Sequence, residues 1–86
     1  MSNEISLEPI REFILSRLNS NPPGLLVDEV DDLVELGLLD SHGLVQLVDY
    51  LERTFEVRVP LRGLTRANFG SLKRIATYLN QLRNSC

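Results

Sequence analysis

Asp40, Ser41 and His42 stand in succession, and His42 is the one histidine of the chain. Their types are those of a nucleophilic relay: a hydroxyl, an imidazole to take its proton, and a carboxylate to orient the imidazole. Their spacing rules the relay out. The run opens a helical pattern, and neighbours on a helix point roughly 100° apart, so the three side chains cannot face one another. No Gly-x-Ser-x-Gly elbow surrounds Ser41, and there is no second histidine to act as base. A metal centre fails in the same way, because His42 and the single cysteine, Cys86, do not make a ligand set. Ser41 is thus a hydroxyl at a helix start with no activating group of its own. Its simplest local role is that of the N-cap, accepting a hydrogen bond from an orphan amide.

The element that positions it runs from Ser41 to about Phe55. Leu44, Leu47, Val48, Leu51 and Phe55 fall at the spacing of one helix face, and Gln46, Asp49, Glu52, Arg53 and Glu56 occupy the other. Ahead of it, Leu7, Ile10, Phe13, Ile14 and Leu18 predict a helix over 6–18, with Pro9 tolerated only in its first turn. The breakers Asn19-Ser20-Asn21-Pro22-Pro23-Gly24 must end that helix. The segment from Leu25 to Leu39 is too apolar for a solvated linker. It reads as a loop laid over the bundle with a helical turn near 31–36 and a positive-φ stop at Gly37. After Phe55, Glu56-Val57-Arg58-Val59-Pro60 is a short extended exit. Residues 61–69 read as one or two helical turns. Ser71 caps a last helix with Leu72, Ile75, Ala76, Leu79 and Leu82 on one face, and Tyr78 at its edge. The expected architecture is all-α: one domain over 1–86, a small four-helix bundle of three main helices and one short one.

At 86 residues the chain is near the lower end for a self-sufficient core and small for an enzyme built around a cleft. No apolar run approaches the ~20 residues of a membrane span, and Met1-Ser2-Asn3-Glu4 lacks the features of a secretory signal. A lone cysteine makes no internal disulfide, so a reducing, cytoplasmic setting is the expectation. The net charge of −3 conceals a polarity. Residues 28–60 hold nine acids against Arg53 and Arg58, while residues 61–86 hold five bases and no acid. An acidic half around Ser41 repels nucleic acid and suits basic protein surfaces.

The stretch Glu35-Leu36-Gly37-Leu38-Leu39-Asp40-Ser41, followed by Val45, Leu47, Leu51, Phe55, Val59 and Pro60, resembles the phosphopantetheine-dependent carrier proteins. The likeness extends through Asn68-Phe69-Gly70-Ser71-Leu72. Gly37 to Ser41 with Gly43 and Val45-Gln46-Leu47 looks most like aminoacyl carriers of the D-alanyl type. Asn68-Phe69 also looks like dedicated carriers that feed polyketide and nonribosomal peptide assembly. The resemblance implies a stand-alone carrier on which a separate phosphopantetheinyl transferase attaches 4′-phosphopantetheine to Ser41. A loading ligase or acyltransferase and a downstream acyl-accepting enzyme would be the other partners, met in turn by a monomer. It also implies a docking face of Asp40, His42, Val45, Gln46, Asp49 and Glu52. Gly43 and Gln46 stand where the common fatty-acid carriers have acids, and His42 where they have an apolar residue. That departure favours an aminoacyl or small-acyl carrier in a specialised pathway over a primary fatty-acid carrier. A non-covalent acidic adaptor, with Ser41 only a cap, is the alternative from another class.

Overall fold

The computed structural model describes residues 5–19 and 27–84, whose regular elements are all helical, with no strand among them. The first helix, α1, begins as the α-helical Glu8–Glu12 and continues without a break as a π-helical stretch, Phe13–Leu18. Helix α2 is Ser41–Phe55, a 3₁₀ turn follows at Leu61–Gly63, α3 is the single turn Arg66–Phe69, and α4 is Leu72–Asn84. Pro9 sits in the first turn of α1, where its missing N–H breaks no bond. The three long helices and one short helix match the expected bundle. Of the breaker cluster, only Asn19 lies within the described residues.

The core forms where the apolar stripes meet. Ile10 and Ile14 of α1, Leu47 and Leu51 of α2, Phe69 of α3, and Leu72, Ile75 and Leu79 of α4 are all fully buried. Burial of each such side chain is worth roughly 1.5–3 kcal/mol. The π-helical register of α1 explains one departure from the simple stripe. A π turn advances less around the axis per residue, so the consecutive residues Phe13, Ile14 and Leu15 all turn inward and are buried. Phe13 packs against Tyr50 of α2 in a T-shaped pair, ring centroids 4.3 Å apart, and the Arg17 guanidinium lies over the Phe13 ring at 5.2 Å. Tyr78 stands edge-on to Phe69 and covers Gly63, where an added Cβ would fall 1.9 Å from its hydroxyl.

The segment before α2 is less buried than its composition suggests. Val27, Leu33 and Leu39 enter the core, but Val30, Val34 and Leu36 stay exposed; Leu25 and Leu26 lie outside the described residues. Its helical turn is present, closed by Leu36 N–H donating to the Asp32 carbonyl, and Gly37 ends it at φ 75°. Two backbone bonds tie the segment to the far end of the bundle: Leu33 N–H to Gly70 C=O at 2.8 Å and Lys73 N–H to Glu29 C=O at 2.8 Å. On the other side of α2, Glu56 takes the left-handed conformation (φ 54°, ψ 45°) that stops the helix. The exit then folds back, and Val59 is buried.

Candidate functional site

Ser41 is exposed and is the first residue of a 15-residue helix. It is not the cap. Asp40 occupies that position in an extended conformation (φ −115°, ψ −175°), and its Oδ1 accepts from Gly43 N–H at 2.7 Å. The expectation that Ser41 caps α2 is thus corrected by one residue. Either side chain could do it chemically, and the lead-in holds Asp40 at the cap. The consequence is chemical: Asp40 takes the capping bond, so the Ser41 hydroxyl is not required by the fold. Leu44 N–H to Asp40 C=O, at 2.8 Å, is the first intrahelical bond, so the amides of Ser41 and His42 precede it and point out of the helix mouth.

Gly43 permits this arrangement. A Cβ there would meet Asp40 Oδ1 at 3.3 Å and Leu18 Cδ1 at 3.4 Å, so a larger residue would press on both the cap and the end of α1. The glycine lets the end of α1 close against the first turn of α2. A phosphodiester suits the place, because a helix N-terminus favours an anion by ~0.3–1 kcal/mol at exposed sites. The residues present would therefore suit an anionic group esterified to an exposed hydroxyl at this helix mouth.

The six residues of the expected docking face do not behave alike. Asp40 is exposed and engaged in the cap. His42 Nε2 and Gln46 Nε2 are 2.7 Å apart, one turn from each other, so the two side chains form a polar clasp on the first turn of α2. Asp49 pairs with Arg53 at 3.2 Å, an exposed i,i+4 contact. Glu52 is half-buried and turned toward the exit, where its Oε2 accepts from Val59 N–H at 2.8 Å. Val45, one turn beyond Ser41 on nearly the same line, is 63% exposed. The acidic charge counted along α2 is therefore largely engaged within the chain, and Val45 is the exposed apolar centre of the face.

One residue escaped sequence reading. Asn19 ends α1, and its side-chain amide donates to Ile14 C=O at 2.7 Å and to Leu38 C=O at 2.8 Å. In sequence it is one more member of a breaker cluster, and only the fold brings it to the lead-in of Ser41. Among the described residues no group of three His, Cys, Asp or Glu side chains could hold a metal, and no helix is long and apolar enough to cross a membrane.

Known proteins resemble this chain in sequence and in fold. The family described as "Phosphopantetheine attachment site" matches residues 8–79. A D-alanyl carrier protein of Streptococcus sanguinis is 36% identical over 55 residues, 64% of this chain and 70% of that one. A D-alanyl carrier protein of Streptococcus pyogenes serotype M5 is 30% identical over 81 residues, 94% of this chain and the whole of its own length. A chain from a crystal structure of an FAD-dependent dehydrogenase superposes with a TM-score of 0.72 at 30% identity, covering 83% of this chain and 99% of that one. The fold, the helix-mouth serine and these matches lead to one conclusion: the chain belongs to the phosphopantetheine-attachment family, whose members are carriers with a covalently held 4′-phosphopantetheine arm.

Proposed function

We propose that Ser41 is the attachment residue and that the protein holds an aminoacyl or small acyl group for enzymes of a specialised pathway. The observation that supports this most directly is the exposed Ser41 hydroxyl at a helix mouth already capped by Asp40. The arm, when attached, supplies the thiol on which cargo rides as a thioester. The chain's own residues do the rest: Asp40 holds the helix start, Gly43 lets α1 support it, and Val45 with the His42–Gln46 pair meets partners. A phosphopantetheinyl transferase, a loading ligase or acyltransferase and an acyl-accepting enzyme would visit this face in turn. The tether keeps cargo at high effective concentration near a docked partner, so modest docking affinity suffices. A cytoplasmic monomer matches such a role.

The D-alanyl carrier relatives favour aminoacyl cargo, as in cell-envelope aminoacylation. The dehydrogenase structure favours a second destination. Its matched chain is spanned almost end to end by this one, so that chain is itself carrier-sized and far smaller than a flavin-binding domain. A carrier in such company would deliver cargo for oxidation, two hydrogens passing from the cargo to the flavin.

Intact mass after incubation with coenzyme A and a promiscuous phosphopantetheinyl transferase tests the attachment. A gain of one phosphopantetheine is expected, and Ser41→Ala abolishes it. Wild-type protein that gains nothing supports the adaptor reading instead. The loaded protein, offered to a D-alanine-activating ligase with ATP and D-alanine, separates the two destinations by a further mass gain or its absence.

A further inference from the structure

We propose that Asn19 is a positioning residue for the acceptor serine, acting through Leu38; this rests on the reading of Ser41 as the attachment residue. The side-chain amide of Asn19 faces two carbonyl oxygens, Ile14 O at 2.7 Å and Leu38 O at 2.8 Å, both partly buried. Only the NH₂ end can satisfy two acceptors, and it uses both of its hydrogens to do so. Ile14 lies five residues back, so the side chain takes the donor place that the next i+5 backbone amide would hold in the π register. The Asn19 backbone N–H donates elsewhere, to Ser16 C=O. At φ −121° and ψ 0° the residue is not left-handed, so turn conformation does not call for an asparagine. Its two donors do.

The other end of the clasp is the lead-in to the helix. Leu38 and Leu39 both donate to Leu33 C=O, at 2.9 and 3.2 Å, and Leu39 is buried. Asn19 holds the Leu38 carbonyl from the opposite side. With its N–H and C=O both tied, Leu38 has little freedom, and the cap residue follows two positions later. Position 18 supports the same point from the apolar side, since Leu18 Cδ1 lies under Gly43. The end of α1 thus fixes where α2 begins, and with it the direction in which Ser41 stands.

Asn80 provides a matched control at the other end of the molecule. Its amide bridges α4 to the N-terminal segment, accepting from Ile5 N–H at 2.8 Å and donating to Ala76 C=O at 2.9 Å. Apo protein, coenzyme A and a phosphopantetheinyl transferase give kcat and KM for wild type, Asn19→Ala, Asn19→Asp, Asn19→Ser and Asn80→Ala. A lead-in that is only fractionally in place raises KM by the reciprocal of that fraction and leaves kcat alone, so Asn19→Ala and Asn19→Asp should raise KM roughly three- to tenfold. Asn19→Ser, shorter but with one donor, should fall between. Asn80→Ala should lower thermal stability by a similar amount and leave KM at the wild-type value. Amide exchange at Leu39 should quicken in the Asn19 variants and not in Asn80→Ala. An unchanged KM in Asn19→Asp, or an equal rise in Asn80→Ala, overturns the proposal. Wild-type protein that takes no arm overturns the Ser41 reading and this one with it, and is seen before any variant is compared.

Discussion

Two neighbouring side chains divide the work at the mouth of α2. Asp40 spends its carboxylate on Gly43 N–H, and Ser41, one residue on, is left exposed. Their substitutions should therefore differ in kind. Asp40→Ala loses a cap and should cost about 1 kcal/mol in denaturant unfolding, while Ser41→Ala should stay within about 0.5 kcal/mol of wild type. An appreciable cost for Ser41→Ala would return the cap to Ser41. Glu52 shows the same division from the other side. Its carboxylate accepts from Val59 N–H, so Glu52→Ala should destabilise by about 1 kcal/mol, whereas Glu52→Gln keeps an acceptor and should not. Comparing the two variants separates a docking charge from a structural acceptor, because only the charge is missing in Glu52→Gln.

At the scale of elements, the turn over 33–37 is tied to α3 by the ion pair of Asp32 with Arg66, beside the backbone bond from Leu33 to Gly70. Asp32 Oδ2 meets Arg66 Nη2 at 2.7 Å, while Asp32 Oδ1 accepts from Val34 and Glu35 N–H. The bond from Arg66, then that from Glu35 N–H, hold the Asp32 carboxyl below its ordinary value, and Arg66 is raised in turn by Asp32. The sign follows from linkage. A carboxyl whose folded pKa lies below its unfolded one stabilises fully above the ordinary carboxylate range, and the gain is lost as pH falls through the folded value. Both side chains are substantially exposed, so salt weakens the pair. Acid titration of unfolding should show a fall below about pH 4 that Asp32→Asn flattens. Amide exchange at Leu33, whose N–H reaches Gly70 across the same junction, should quicken over the same range. An Asp32→Asn protein with the wild-type acid slope would remove this pair from the account.

Across the molecule, the charge polarity of the sequence is less available than its count suggests. Asp49 faces Arg53, Asp32 faces Arg66, and Glu52 faces a backbone amide. Docking beside Ser41 should thus lean on Val45 more than on charge. Val45→Asp should raise the transferase KM several-fold, on the order of 1 kcal/mol of lost apolar contact, and Val30→Asp, equally exposed beside the start of α4, should not. Equal effects of the two would remove Val45 from the docking centre. The sequence alone determined the helices, the apolar faces and the place of Ser41 at the start of α2, because periodicity and breakers act over a few neighbouring residues. The one- or two-turn pieces at 61–69 were legible for the same reason, from Gly63 and Asn68. Which of Asp40 and Ser41 would cap α2 was not legible, since both have the chemistry and they differ by one step in register. Tertiary structure decided that, together with the inward turn of Leu15, the outward turn of Val30, Val34 and Leu36, and the reach of Asn19 to Leu38. Leu15 turns inward through a π register that a 3.6-residue period does not mark, and the rest depend on where segments distant along the chain meet, which local pattern has no means to encode.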